Sequence, residues 1–332
     1  MIILKDLKNI TTPFENAVVT LGNFDGIHLG HREIFRRVVA KASAIKGTSV
    51  VYTFVPHPLK VLAPDRALRL INTYEEKERL IEASCIDVLI CAPFTIQTAR
   101  LSAVEFVEDI LVRTIGVKHL VVGYDYAFGK NREGNVEFLQ NMGSKWGFGV
   151  EVVGPVSKEG LVYSSTRIRQ LIGAGEVAEV VRYLGRHFTL EGQVVHGLSR
   201  GRTIGIPTAN LSTDKELLPR PGVYAVKVRW QDSLWDGVAN IGTNPTFGGT
   251  KTTIEVHILG FSGEIYGDTV RIYFVEHLRD EVQFPAVELL VKAIHADICR
   301  ARQLLAETPI LEYRDYLDCG LQESTLSKGE AL

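Results

Sequence analysis

Several things are scarce in this 332-residue chain, and each scarcity excludes something. It has four cysteines, Cys85, Cys91, Cys299 and Cys319, in no CxxC and no framework spacing. That pattern predicts reduced thiols in a cytoplasmic protein rather than a disulfide scaffold. No apolar run approaches membrane-spanning length, so no membrane partner is expected. The opening MIILKDLKNI is interrupted by charge after four residues, so no secretory leader is expected there. Excess charge of either sign is also missing, with 37 Lys and Arg against 39 Asp and Glu and a net charge of −2. This balance gives no support to a nucleic-acid-coating or membrane-surface role, and any anion site must be local. Repeats and low-complexity tracts are absent too. What remains is ordinary globular material, 45% hydrophobic and 23% charged, long enough for two domains.

The two halves carry different periods. In the first, short apolar runs alternate with helical patterns: AVVTL (17–21), SVVYTFV (49–55), VLICA (88–92), HLVVGY (119–124) and VEVVG (150–154) read as strands. Between them, helical spacing runs over 34–45, 75–83, 103–115 and 135–142. Strands alternating with helices predict an α/β domain, a doubly wound parallel sheet covered on both faces. Past residue 187 the strands crowd together: FTLEGQVVHG, IPTANL, GVYAVKVRW, LWDGVANIG, TTIEVHILGF and DTVRIYFVEHL, split by Gly, Pro and Asp turns. Such spacing predicts a small antiparallel β-barrel, closed by a helix over 285–307. TRIRQLIGAGEVAEVVRYLG (166–185) reads as a helical link between the halves, and the polar end, QESTLSKGEAL, as frayed. The expected division is 1–186, 187–307 and a tail, 308–332.

The densest stretch is TLGNFDGIHLGHREIF (20–35), where the first of these strands turns into a helix. A loop at that edge of a parallel sheet is where such sheets bind ligands. Gly22, Gly26 and Gly30 let backbone approach a ligand, and the helix N-terminus offers free N–H groups to phosphate. The stretch is neither GxGxxG nor a Walker lysine loop, since a histidine pair stands there. His28 and His31, three apart, can both donate to one phosphate chain as charge develops. A tight turn with an incidental HxxH is the plain alternative, and the three glycines with Asp25 weigh against it. Zinc fits less well, because no third ligand sits at an obvious spacing.

Other stretches admit two readings from the residues alone. In YSSTRIRQLI (163–172), Ser165 or Thr166 can simply cap a helix, or the hydroxyls and arginines can grip phosphate. TFVPHP (53–58) is a proline-rich loop at the same sheet edge, and Asp125 in VVGYDYAFGKNREG (121–134) a turn former or a ligand contact. GLSRGRTIGIPTANL (197–211) holds turn glycines and a proline-started strand. Glu255, inside an apolar strand, is solvent-facing or functional; Arg279 in LRDEVQF can form a surface ion pair with Glu281.

Together these motifs resemble a known family. GNFDGIHLGH resembles the GxFDGxHxGH signature of nucleotidyltransferases related to class I aminoacyl-tRNA synthetases. With the remaining stretches, nearly the whole chain resembles the bacterial bifunctional riboflavin kinase/FAD synthetase family. The resemblance implies that the loop Gly22, Asn23, Phe24, Asp25, Gly26 and Gly30, with His28 and His31, holds ATP for AMP transfer. It implies that Ser164, Ser165, Thr166 and Arg169 grip the β- and γ-phosphates, and that Pro56, His57 and Asp125 lie by the flavin, with Tyr126 where the family usually has Phe. In the second half, GRTIGxPTAN implies that Gly201 and Gly205 cover ATP phosphates while Thr208 and Asn210 supply oxygens to Mg²⁺. Glu255 would be the base for riboflavin's 5′-hydroxyl, and Arg279 would approach the flavin or its phosphate. Gly260 stands where the family usually reads Asp. The implied substrates and products are riboflavin, ATP, FMN and FAD, in a monomer or weak homo-oligomer without nucleic acid.

Two rivals stand beside this reading. One keeps a nucleotidyltransferase for another substrate and makes the barrel a nucleic-acid-binding module; the barrel lacks a dense basic stripe for it. The other is a flavin-binding regulator with dead sites, against which every expected polar residue is present.

Overall fold

The computed structural model describes residues 1–158, 160–197, 201, 204–246 and 249–311. Most of the expected tail therefore lies outside the described residues, as do Arg202 and Thr203 of the GRTIG motif. Contacts divide the chain into two units. The first holds Met1–Arg69 and Tyr74–Ser164; the second begins at Ser165 and also holds Leu70–Thr73.

In the first unit, in chain order, β1 (Ile2–Leu4), β2 (Ala17–Leu21), α1 (Leu29–Ala44), β3 (Ser49–Val55), α2 (Pro58–Leu62), α3 (Tyr74–Glu82) and β4 (Val88–Pro93) come first. Then follow α4 (Ala103–Glu105), continued by a helical segment Phe106–Ile115, β5 (Val117–Gly123), α5 (Val136–Trp146), β6 (Gly149–Val153) and a short hairpin, β7 (Ser157–Lys158) with β8 (Leu161–Val162). The sheet order is β1-β4-β3-β2-β5-β6, every pair parallel. Its strands are apolar on both sides because both faces are covered. Val18, Val51 and Leu89 pack against Phe35 and Val38 of α1 and Leu80 and Ile81 of α3. Val19, Val50 and Ile90 face Phe106, Ile110 and Leu111 and Leu139 of α5. The chain leaves β2 toward β3 on one side and returns with β5 on the other. That reversal makes the carboxyl end of β2 the switch point of the sheet, where ligands bind.

The second unit opens with α6 (Ser165–Ala174) and α7 (Val177–Leu184). The single helical link expected over 166–185 is thus two helices, interrupted at Gly175, whose φ is +80°. Six strands follow: β9 (Phe188–Val195), β10 (Ala209–Ser212), β11 (Gly222–Trp230), β12 (Ser233–Thr246), β13 (Gly249–Ile258) and β14 (Thr269–Arg279). They close into an antiparallel barrel in the order β10-β13-β12-β11-β14-β9. Phe188, Tyr224, Val226, Ile241, Ile254, Val256 and Phe274 are buried on the inward face. On the outer face, Val223, Ala225, Val238 and Leu278 are covered by Ala301 and Leu305 of α8 (Val287–Ala306).

Cys91 and Cys299 are free thiols, the first buried and the second exposed, while Cys319 lies outside the described residues.

Candidate active sites

The loop after β2 is held by its own residues. Phe24 and Ile27 are buried at left-handed φ of +46° and +39°, and Gly26 lies at +87° between them. His28 caps α1: its Nδ1 accepts the His31 backbone N–H at 3.3 Å, and the two imidazoles stack with centroids 3.7 Å apart. With Nδ1 engaged as an acceptor, the neutral ring carries its proton on Nε2. A Cβ at Gly30 would come within 3.1 Å of the His28 ring, a tight contact that the absence of a side chain avoids. That Cβ would also lie 3.6 Å from the Cβ of Tyr163, so the chain just before Ser164 runs beside the loop. Phe24 contacts His31 edge-on, with centroids 5.2 Å apart, and seats the ring from the core side.

Flavin-type candidates lie at the neighbouring strand ends. Pro56 follows β3 and is exposed, whereas His57 is 5% exposed. His57 caps α2, its Nδ1 accepting the Leu59 N–H at 3.2 Å, and its own N–H donates to the Tyr74 hydroxyl at 3.1 Å. The residues read as a proline-rich loop thus start a short helix, with Pro58 at its first position. Asp125 is exposed just past β5; its carboxylate would lie 3.3 Å from a Cβ on Gly123. Tyr126 stacks on Phe128 with centroids 5.6 Å apart, and burial pushes its phenol well above the usual range. Thr166 and Arg169 lie on α6, which groups with the second unit, while Ser164 ends the first.

The barrel gathers the other set on its outer face. Glu255 on β13 pairs in register with Asn210 of β10 on one side and Asn240 of β12 on the other. Its neighbours Ile254 and Val256 point inward, so by strand alternation Glu255 points out, where it is half-buried. A Cβ on Gly201 would stand 3.3 Å from the Thr208 hydroxyl, and the Ile206 N–H closes the turn onto the Gly201 carbonyl at 2.8 Å. Gly205 sits in that turn at a φ of +77°. His257 Nδ1 lies 2.7 Å from the Pro207 carbonyl and pins the start of PTAN. Among the described residues no three His, Cys, Asp or Glu side chains group to hold a metal. Thr208 and Asn210 instead offer hard neutral oxygens, which suit Mg²⁺ shared with phosphate and water.

Arg279 is paired, though not with Glu281. Its Nε donates to both carboxylate oxygens of Asp297 on α8, at 3.2 and 2.9 Å, and its guanidinium stands 5.5 Å from the Phe284 ring centroid. Asp297 is 8% exposed, so this is a largely buried pair that ties β14 to α8.

Family models match both regions: FAD synthetase over residues 11–167 and riboflavin kinase over 184–305. A bifunctional riboflavin kinase/FMN adenylyltransferase from Pseudomonas fluorescens is 38% identical over 307 residues, covering 92% of this chain and 98% of its own. Its counterpart in Escherichia coli K12 is 35% identical over 310 residues, covering 93% and 99%. The chain belongs to the bifunctional riboflavin kinase/FMN adenylyltransferase family. A solved structure described as a macrolide-efflux protein from Streptococcus pneumoniae superposes with a TM-score of 0.84 at 38% identity, over 91% of this chain and 98% of that one. Among the described residues here, no helix is long and apolar enough to cross a membrane.

The two departures from the family pattern have local accounts. Tyr126 keeps a flat ring on Phe128. Gly260 lies at a φ of +73° with open space around it, a turn that glycine enters without strain. Sequence reading missed Asn240, Asp297, His257 and Tyr74. Only Asn240 left a signal, as a polar residue inside the apolar run GVANIG.

Proposed function

We propose that this chain phosphorylates riboflavin with ATP to give FMN and ADP, and then adenylylates FMN with a second ATP to give FAD and pyrophosphate. One observation carries the reading: the two family matches fall on two regions, each with its own glycine-rich turn and its own set of polar side chains. The assignment takes 1–186 as the adenylyltransferase domain and 187–307 as the kinase domain.

In the kinase step, the 5′-hydroxyl oxygen of riboflavin bonds to the γ-phosphorus as the bond to ADP breaks. Glu255 accepts the hydroxyl proton, Gly201 and Gly205 line the phosphates, and Thr208 with Asn210 would hold Mg²⁺. The ion, when bound, supplies charge neutralisation at the transferring phosphoryl group. Asn240, in register beside Glu255, is placed to orient that carboxylate or the hydroxyl it serves.

In the adenylyl step, an FMN phosphate oxygen bonds to the α-phosphorus of ATP and pyrophosphate leaves. No protein base is needed, because that phosphate is already ionised. Positioning and stabilisation of developing charge suffice. His28 and His31 donate to the phosphate chain from the capped start of α1, while the loop from Gly22 to Gly30 shapes the backbone around it. Ser164, Ser165, Thr166 and Arg169 hold the departing pyrophosphate; Pro56, His57 and Asp125 border the flavin. Arg279, held by Asp297, approaches the flavin or its phosphate.

The reading also places the protein in the cytoplasm, as a monomer or weak homo-oligomer with no nucleic-acid partner; the net charge of −2 supports the last point. The experiment is direct: incubate the protein with riboflavin, ATP and Mg²⁺ and separate the flavins. FMN appearing first and FAD following is expected. FMN without FAD, or no turnover, overturns the respective half.

A further inference from the structure

Lys77 is 2% exposed, a rare situation for lysine, and the chemistry above gives it no role. It lies in the middle of α3, one turn after Tyr74, so the two side chains share a helix face. Its Nζ donates to the Asn23 backbone carbonyl at 2.8 Å, and stands 5.5 Å from the Tyr74 ring centroid. Thr53, fully buried on β3, sends its hydroxyl toward the same carbonyl at 3.4 Å. Burial disfavours the charged ammonium, and the charge of Asp25, itself 3% exposed, acts in the opposite direction.

The carbonyl it grips is placed to matter. Asn23 opens the left-handed stretch in which Phe24, Gly26 and Ile27 all have positive φ. Such conformations are disfavoured for non-glycine residues and persist only where the surroundings over-determine them. The same helix face also reaches the other loop, because the Tyr74 hydroxyl accepts the His57 N–H at 3.1 Å. One face of one helix therefore braces both the turn after β2 and the turn after β3.

We propose that Lys77 is a positioning residue for adenylyl transfer: its ammonium fixes the Asn23 carbonyl, and together with Tyr74 it sets the nucleotide loop and the flavin loop relative to one another. This rests on the reading of the first unit as the adenylyltransferase. Lys77 touches neither reactant in this scheme; it acts through the backbone of Asn23. Removing it takes away the 2.8 Å hydrogen bond that holds the carbonyl at the start of the strained turn.

The test uses the full chain, with FMN and ATP as substrates for FAD formation. Lys77→Met is expected to lower kcat for FAD formation about 100-fold, the usual consequence of displacing reacting groups by about an ångström. Calorimetric affinities for FMN and for ATP should each change less than about tenfold, which a unit that had lost its fold would not allow. Tyr74→Phe keeps the packing and removes one hydroxyl. It should raise KM for FMN by about fivefold to tenfold, the net worth of one hydrogen bond, with KM for ATP unchanged. A Lys77→Met protein with kcat within about threefold of wild type overturns the proposal, as does a Tyr74→Phe protein with both KM values unaltered. Should Lys77→Met bind neither ligand, Tyr74→Phe decides alone, by the same KM criterion. Wild-type protein that makes no FAD would refute the adenylyltransferase reading itself, a result distinguishable from an indifferent Lys77.

Discussion

The Nδ1 of His28 accepts the backbone N–H of His31, and the two imidazoles stack 3.7 Å apart. The ring caps the helix through Nδ1, and its neutral form carries a proton on Nε2, so the cap and the proposed donation to phosphate draw on different atoms of one side chain.

The two roles separate by substitution. Asn is a good N-cap, so His28→Asn keeps the cap and removes the imidazole donor; FAD formation should fall by about 10²–10³ with stability near wild type. His28→Ala loses both and should also lower stability by about 1 kcal/mol. Comparing melting curves with FAD rates for the two variants checks this, and equal rates in His28→Asn and wild type would remove His28 from the chemistry.

Glu255 stands between Asn210 and Asn240 in the barrel register, which makes it more than an isolated polar residue on a strand. Glu255→Gln keeps size and hydrogen bonding but not basicity, and FMN formation should fall by about 10²–10⁴. The lower end is expected, because little proton motion precedes P–O cleavage in a loose transition state. Supplied FMN should still become FAD at the normal rate. Asn240→Ala should slow the kinase less than Glu255→Gln, and a larger loss would shift the proton-accepting role away from the carboxylate.

Sequence alone carried the fold far, for a physical reason. The sheet strands are buried on both faces and read as unbroken apolar runs, AVVTL and VLICA among them, so their positions are exposed by composition. The six barrel strands were visible from alternation and turn residues. The edge strand β1 was not, being three residues long and largely exposed. Lys77 and Asp297 were illegible for another reason. Each is a charged residue in a helix that reads as solvent-facing until a long-range partner, Asn23 or Arg279, is placed beside it.

Acid should destabilise the second unit before its carboxylates titrate. Burial holds the imidazoles of His187 and His277 below their ordinary value of 6.5. Below about pH 6.5 the unfolded chain takes up protons that the folded unit refuses, so stability is fully present above that pH and falls as pH drops toward the folded values. His187→Gln should flatten the decline between about pH 6.5 and 5 by removing one of those protons. Melting temperatures of the two proteins across that range decide it, and parallel curves would show that His187 is not a source.

A kinase fragment that folds alone should need residues ahead of the proposed boundary at 187. Val177, Val180, Tyr183 and Leu184 of α7 are buried, and α7 belongs to the second unit. Cutting at residue 187 removes all four of these side chains, each worth about 1.5–3 kcal/mol of burial, from a unit whose whole stability is of the order of 5–15 kcal/mol. A fragment of residues 187–311 should therefore be unfolded or barely folded. A fragment of residues 165–311 keeps α6 and α7. It still lacks Leu70 and Ile71, which are buried and grouped with this unit, and the Leu70 N–H that donates to Glu216 at 3.0 Å. It should melt at a lower temperature than the same unit in the full chain. The strands that carry Asn210, Asn240 and Glu255 are all retained, so the longer fragment should convert riboflavin to FMN and make no FAD. Circular dichroism and flavin separation on the two fragments test this together. If the shorter fragment matches the longer in both stability and FMN formation, α7 is dispensable and the kinase begins at β9.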